Sequence, residues 1–588
     1  MTSRVPRLAC SLLLAASIAA ETTAGSHQAT DERGVVVAAS AEATQAGIEI
    51  LRAGGNAVDA SVAVGLALAV TYPRAGNIGG GGFLLLRDVG GAAEAIDYRE
   101  TAPAAAFREM YFEGPAKASV VGHRAAGVPG TVAGLALALE RHGSGKFTWA
   151  QLVEPARKLA AEGFIISEPI AKHLSSNSRI LEPNAESTRI FLRGGNHYAA
   201  GERLVQPELA ATLARLQKDG PREFYEGETA RLLVAEMKAN GGLINADDLR
   251  NYRAVVREPL RMRYRGHEIL TMPPPSSGGV VIAQMLAMLE PFDLVKMRPD
   301  ARAHLLIEVM KRGFHDRASF VADPDFVPVP MAGLLAPEYL AARMTNFDPA
   351  KATPSSEVGG PAPAGAELML KKEKLETTHY SVIDAAGNAV SNTYTLNGHY
   401  GNGVTVTGAG FLLNNEMDDF TTRPGAANIF GLIQGEANSV AAGKRPLSSM
   451  TPTIVLKDGE PCLILGSPGG PTIINIVLQV MINVIDLKMT AAEANAAPRL
   501  HHQWMPDEVT YEPGGMTAEV ANALIARGHS LGQRQMYWTD SDRANARRLG
   551  DAAVIFVDPK TKLRHGSADP RSGSSSAAGQ GGDSKSAP

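Results

Sequence analysis

The sequence predicts an α+β chain, on three observations. Short apolar runs bounded by turn residues, such as GVVVAAS (34–40) and EPCLILG (460–466), have the length of buried strands. Longer apolar stretches, among them TVAGLALALERHG, GVVIAQMLAMLEPF and TIINIVLQVMINVID, have the length of helices. Two alternating runs, TTHYSVID and NAVSNTYTLN, flank a Gly-bearing turn and read as a hairpin. With 588 residues, 45% of them apolar and 20% charged, the chain is too long for one ordinary core and too apolar for disorder, so one large or two merged domains are expected.

The charge balance narrows the partner. Lys and Arg total 57 against 61 Asp and Glu, a net −4, which attracts neither nucleic acid nor an anionic membrane. A small molecule is the expected partner. Arg4 and Arg7 precede the apolar run Leu8–Ala20 and then ETTAGS, the pattern of a secretory signal peptide over residues 1–24, cut after Ala20 or Ala24. The run is shorter than the roughly 20 residues a spanning helix needs, so no stable membrane span is expected and the mature protein is read as periplasmic or secreted. Cys462 is the one cysteine outside that segment, so no internal disulfide is expected.

Along the chain, the strand at 34–40 leads to Ser40, a candidate cap for a helix from Ala41 to about Arg52 that ends at Gly54-Gly55; a second helix runs from Ala57 to Val70. NIGGGGFLLLRD (77–88) puts four glycines before an apolar run, which suggests a strand closely approached by another backbone. It is no phosphate loop, because no Lys-Ser or Lys-Thr follows. Residues 130 to 350 alternate helix-like stretches with polar turns and show no fixed repeat. Composition shifts at 351–376 to Pro, Ala, Gly and then charges, a flexible exposed segment. From about 570 the chain becomes small and polar, and disorder is expected.

The hairpin carries the first chemistry. If Asp384 and Asn388 close a three-residue loop with Gly387 left-handed, Val382 faces Val390 and Thr377 faces Thr395. Directly opposed residues have Cβ atoms about 5 Å apart, so the two hydroxyls are within hydrogen-bonding reach. His379, Ser381, Ser391 and Thr393 share that face. Two threonines in a hairpin are also ordinary strand packing. Position favours chemistry, because Thr377 opens the strand directly after the flexible segment. A cut between Glu376 and Thr377 gives Thr377 a free α-amine with an ordinary pKa of about 7.7 to 8.0, suited to act as the base for its own hydroxyl. His379 is the weaker base, since residues i and i+2 stand some 6 to 7 Å apart, and it is read as structural.

Downstream, EPCLILG runs into Ser467-Pro468-Gly469-Gly470 and then Pro471, which opens a helix. Backbone N–H groups there could face a developing oxyanion, or the stretch could be a plain tight turn. KRPLSSM places Ser448 and Ser449 before another strand, and NNEMDDF (414–420) is a compact acidic cluster. Glu416, Asp418 and Asp419 lack the oxygen spacing of a calcium loop, and no metal or other cofactor is expected.

Taken in order, THYS preceded by Thr, TYTLN, NNEMDDF, RPLSSM and GSPGG resemble the gamma-glutamyltranspeptidase family, and the resemblance spans GVVVAAS to the ADPR near 568. It implies the N-terminal nucleophile hydrolase fold, a four-layer αββα sandwich made as a proenzyme. Cleavage between Glu376 and Thr377 would give a large subunit, 25–376, and a small one, 377–588, joined as a heterodimer. Thr377 would be the nucleophile and Thr395 its partner, with Gly469 and Gly470 as the oxyanion hole. Arg99, Ser448 and Ser449 would hold the substrate's α-carboxylate, and Asn397, Glu416 and Asp419 its α-ammonium. The implied substrates are glutathione and other γ-glutamyl compounds, with water, amino acids or dipeptides as acceptors. Two departures stand out: Glu416 occupies a position that is Gln in several bacterial members, and Phe430 falls where some carry a lid tyrosine. The alternatives are a glutaryl-cephalosporin acylase of the same fold, whose substrate lacks the α-ammonium, and a non-catalytic exported binding protein.

Overall fold

A computed structural model describes residues 26–113, 115, 117–359, 377–423, 425, 427–532 and 549–581. The expected signal peptide and Glu376 lie outside the described residues. Two seven-stranded antiparallel sheets form the centre. The first orders Gln28–Asp31, Arg564–Ala568, Ala553–Val557, Glu460–Gly466, Thr453–Lys457, His267–Thr271 and Leu260–Tyr264. The second orders Ser576–Gly579, Val35–Ala38, Thr378–Ile383, Ala389–Thr395, Gly81–Arg87, Ala93–Tyr98 and Val255–Arg257.

Alternation along the strands sorts the core into layers. In the second sheet Val36, Leu84, Leu86, Val382 and Val390 face outward onto the helices Ala41–Arg52 and Ala57–Thr71. Val35, Val37, Phe83, Leu85 and Ile383 face inward, into the core shared with the first sheet. That sheet is covered on its far side by the helices Gly278–Leu289, Pro299–Phe320 and Thr472–Ile485. The result is the four-layer αββα sandwich. Each aliphatic side chain fully buried in these layers contributes about 1.5–3 kcal/mol.

Local expectations are met closely where one side chain decides the geometry. Ser40 accepts from Ala43 N and starts the helix Ala41–Arg52. Glycine is needed at Gly82, where a Cβ would lie 2.4 Å from the Tyr394 Cβ of the neighbouring strand. The hairpin has the expected register: Val382 pairs with Val390 and Thr378 with Tyr394, while Asp384 N donates to Asn388 O and Gly387 has φ 95°.

Two expectations are corrected. The tail is not disordered from 570, because Ser576–Gly579 pairs with Val35–Ala38 as an edge strand and Arg52 caps its carbonyls at Gly579 and Gln580. Small polar residues suit this edge, since backbone pairing needs no large side chain. The start of the 351–376 segment is not loose either. Lys311 Nζ donates to Thr353 O, Glu308 accepts from Thr353 N, and Trp504 Nε1 donates to Ser355 O. Residues 360–376 lie outside the described residues.

Candidate active site

One small cavity gathers most of the residues singled out from the sequence: Arg99, Thr377, Thr395, Asn397, Glu416, Asp419, Ser448, Ser449 and Gly470 line it. Gly469 sits one residue behind the lining. A larger groove, open to solvent, runs along Val256–Arg261, Pro273 and Pro274, but contains none of these residues.

The hairpin delivers the two threonines. Thr377 lies one residue before its strand and is buried, and Thr395 ends the opposing one. Thr395 Oγ1 accepts from Asn397 N at 2.8 Å. Asn397 holds a left-handed backbone (φ 75°), which asparagine tolerates better than most residues, and its Nδ2 donates to Asn415 O at 2.9 Å, tying the hairpin end to the acidic loop. Opposite, the strand Glu460–Gly466 feeds Ser467-Pro468-Gly469-Gly470 into the helix Thr472–Ile485. Gly469 (φ 131°) takes a backbone that only glycine adopts readily and Gly470 (φ 55°) the left-handed one that glycine favours, and the turn they make leads into a helix N-terminus.

The other end is a buried charge cluster. Arg99 follows the strand Ala93–Tyr98 and is 1% exposed. Its Nη1 pairs with Glu416 Oε1, its Nη2 with Asp419 Oδ2 at 2.6 Å, and its Nε donates to Pro446 O at 3.3 Å. Burial pushes the carboxyls of Glu416 and Asp419 up while the Arg99 charge pulls them down, and the same acids hold the guanidinium firmly protonated. Glu100, 3.9 Å from Arg99, is pushed up to about 7 by burial and has no hydrogen-bond partner on either oxygen among the described residues.

A loop covers the cavity. Asn428 Nδ2 donates to Asp419 Oδ1 at 2.9 Å, Phe430 N donates to Asn428 Oδ1, and Gln503 Nε2 holds the carbonyls of Phe430 and Gly431. Phe430 itself lines the cavity. The acidic loop is thus committed to Arg99 and this cover, and Asp418 accepts from Ser119 Oγ and Ile429 N.

His379 faces the inter-sheet core. Its ring meets Thr393 Oγ1 at 2.8 Å and Ser381 Oγ at 3.1 Å, and Ser381 donates to Ala553 O. Ser381 therefore accepts from His379 Nε2–H, and Nδ1 accepts from Thr393. Burial lowers the ring's pKa to about 3, so it is neutral and structural. Cys462 is buried, with its thiol pushed up to about 12.

The residue not foreseen is Arg317, in the last turn of the helix Pro299–Phe320, which reaches the same cavity. Its neighbours in sequence, HDRASF, read as a polar helix face, and no local signal marks them as buried. Glu100 had one signal, its place beside Arg99.

Comparison with known proteins agrees with this geometry. The profile of the family described as Gamma-glutamyltranspeptidase matches residues 43–579. The chain is 44% identical over 556 residues to the glutathione hydrolase proenzyme of Escherichia coli (strain K12), covering 93% of this chain and 92% of that protein. It is 42% identical to the glutathione hydrolase proenzyme of Pseudomonas aeruginosa, covering 94% and 98%. Among solved structures, the cephalosporin acylase from Bacillus halodurans superposes with a TM-score of 0.81 at 26% identity, over 94% of this chain and 96% of that one. The fold is therefore the N-terminal nucleophile hydrolase sandwich, and the chain belongs to the gamma-glutamyltranspeptidase family.

Proposed function

We propose that the protein is a glutathione hydrolase and gamma-glutamyltransferase that acts through Thr377 after cleavage between Glu376 and Thr377. The observation that carries this reading is the convergence of a strand-opening threonine with a buried guanidinium and two buried carboxyls around one cavity. The charge pattern matches the amino-acid head of a γ-glutamyl group, with guanidinium for carboxylate and carboxyls for ammonium.

In the proposed turnover the Thr377 α-amine takes the Oγ proton as Oγ attacks the γ-amide carbon. The carbonyl oxygen becomes an oxyanion facing the N–H groups of Gly469 and Gly470, a donor pair of the kind worth about 3 kcal/mol per bond in the transition state. Collapse breaks the C–N bond, and the ammonium passes its proton to the leaving amine. Water or the amine of an acceptor amino acid or peptide then attacks the γ-glutamyl ester and restores the threonine. Thr395 positions the nucleophile in this reading, while Arg99, Asn397, Glu416, Asp419, Ser448 and Ser449 hold the head group. Phe430 covers the cavity without a hydroxyl, so the cover over the ester is held by Asn428 and Gln503 instead of by a side chain at that position.

The subunit division fits the topology. Each sheet mixes strands from before residue 360 with strands from after 377, so a cut at Thr377 leaves two chains sharing both sheets as a heterodimer. Export of the precursor through the 1–24 segment is part of the same reading; no helix among the described residues is long and apolar enough to cross a membrane.

A glutaryl-cephalosporin acylase needs no group for an α-ammonium, and the retention of Glu416 and Asp419 in the cavity favours the glutamyl substrate. The test is Thr377→Ala. Intact mass under denaturing conditions should change from two chains, one starting at Thr377, to one uncut chain, and γ-glutamyl transfer should fall by more than about 10⁴-fold. Normal processing or activity in that variant would refute the assignment, and a wild type that neither cleaves itself nor turns over, with Thr377→Ala leaving ligand binding and chain length unchanged, would point to a binding protein.

A further inference from the structure

The cover that carries Phe430 over the cavity is gripped at its tip by a residue from a distant part of the chain. Gln503 Nε2 donates to Phe430 O at 3.3 Å and to Gly431 O at 3.1 Å, and it also reaches Met505 O at 3.3 Å. All three partners are carbonyls, so the grip works with only one orientation of the Gln503 amide. The reverse orientation would set Oε1 against them.

Two buried side chains fix that orientation. Asn475, fully buried in the helix Thr472–Ile485, donates from Nδ2 to His501 Nδ1 at 2.7 Å. An amide nitrogen only donates, so His501 accepts at Nδ1 and carries its proton on Nε2. That N–H meets Gln503 Oε1 at 3.0 Å and turns Gln503 Nε2 toward the cover. The relay runs one way, from the helix that the Gly469-Gly470 turn leads into, through His501 and Gln503, to the carbonyls over the cavity. Its base is fixed. Gln479 of the same helix accepts from Leu500 N and donates to Leu500 O, and beside Gln503 the Trp504 Nε1 donates to Ser355 O. The other end of the cover hangs on Asn428, which reaches Asp419 Oδ1. Supports locked by their own packing and hydrogen bonds hold a loop in one place.

We propose that Gln503, oriented by His501 and Asn475, is a positioning residue that keeps the cover shut over the γ-glutamyl ester and so sets how the ester divides between water and an amine acceptor. An acceptor is limited by its own binding, whereas water is limited by access, which a closed cover denies it. Loosening the grip therefore favours hydrolysis. This rests on the γ-glutamyl-enzyme proposed above and adds a residue that governs its fate without lining the cavity.

The test gives the processed enzyme γ-glutamyl-4-nitroanilide and a fixed concentration of glycylglycine, and measures the ratio of glutamate to γ-glutamyl-glycylglycine formed. Gln503→Glu keeps the bond from His501 and loses the two donors. It should raise that ratio about 3- to 10-fold, the worth of one hydrogen bond. Its kcat/KM for 4-nitroaniline release should stay within about twofold, because forming the ester needs no exclusion of water. Gln503→Met carries the measurement if Gln503→Glu remains unprocessed. His501→Phe frees the amide to turn and should give a smaller rise in the same direction. Added to Gln503→Glu it should change nothing further, since it acts only through Gln503. A ratio unchanged or lowered in the Gln503 variants would overturn the proposal, and a fall in kcat/KM at an unchanged ratio would reduce Gln503 to a structural role. A His501→Phe effect that multiplies with that of Gln503→Glu would refute the relay. A wild type that releases no 4-nitroaniline would instead refute the functional reading on which the proposal rests.

Discussion

The stripe between the sheets and the wall of the cavity are both polar and both buried, and both take residues from the same hairpin or its neighbours. They differ in where their hydrogen bonds go. In the stripe, His379 is held by Thr393 and Ser381, Ser381 donates to Ala553 O, and Ser391 bridges Leu465 O and Thr453 N. In the cavity wall, Arg317 Nη1 and Glu416 Oε2 have no partner among the described residues. A closed network rigidifies a core, whereas buried donors and acceptors left over around a void are what a ligand's charged groups can satisfy.

The comparison breaks most visibly at Arg99. Arg99→Gln removes the charge between Glu416 and Asp419 and leaves two buried carboxyls facing each other. Removing one partner of such a pair typically costs about 3–5 kcal/mol. A loss of that size in urea unfolding of the processed enzyme, together with a large fall in γ-glutamyl kcat/KM, is expected. A variant as stable as the wild type would mean that the cluster is not held by its charges, and the contrast with the stripe would lose its electrostatic basis.

How far the sequence reaches follows the same line. The hairpin register from Thr378–Tyr394 to Ile383–Ala389 was legible because side-chain alternation and a Gly-bearing loop fix it locally, and Thr377 and Thr395 both line the cavity at its end. The Gly469-Gly470 turn was legible for a similar reason, since a glycine pair before an apolar helix has few other uses. The charge cluster was not legible from composition. Arg99, Asp419 and Arg317 would each be placed on a surface by default, and their burial depends on strands and helices far apart in the chain. Resemblance to the family supplied Arg99 and Asp419, but Arg317 came only from the fold, on a helix whose buried face includes Glu308, Lys311, Arg312 and Asp316. The tail failed for the opposite reason: small polar residues suggested disorder, while backbone pairing at a sheet edge was enough to order Ser576–Gly579.

The stripe offers the milder perturbation. Thr393→Val keeps shape and removes the hydroxyl that donates to His379 Nδ1, leaving one buried acceptor unpaired at a cost of about 1–3 kcal/mol. The processed enzyme should keep its γ-glutamyl kcat/KM within twofold, because the stripe points into the inter-sheet core. A strong loss of activity at unchanged stability would show that the two clusters are coupled and that the division between them is wrong.

The smallest expected effect tests whether the stripe is neutral. The folded His379 has its pKa lowered to about 3, while an unfolded histidine titrates near 6.5. Between those values the unfolded chain binds a proton that the folded one does not, so stability rises with pH and is lost as pH falls from about 6.5 toward 3. One histidine contributes at most about 1.4 kcal/mol per pH unit. His529, whose pKa is likewise lowered to about 3 by burial, adds its own slope and is unaffected by changes in the stripe. His379→Gln offers an amide donor and acceptor without a titration, so between about pH 6.5 and 5 it should lose about 1.5 kcal/mol less stability than the wild type. Upper-window urea unfolding measures this above the range where most carboxylates titrate. Equal losses in the two proteins would place a proton on His379 in the fold, and the stripe would then carry a buried charge like the cavity's instead of the closed neutral network that sets it apart.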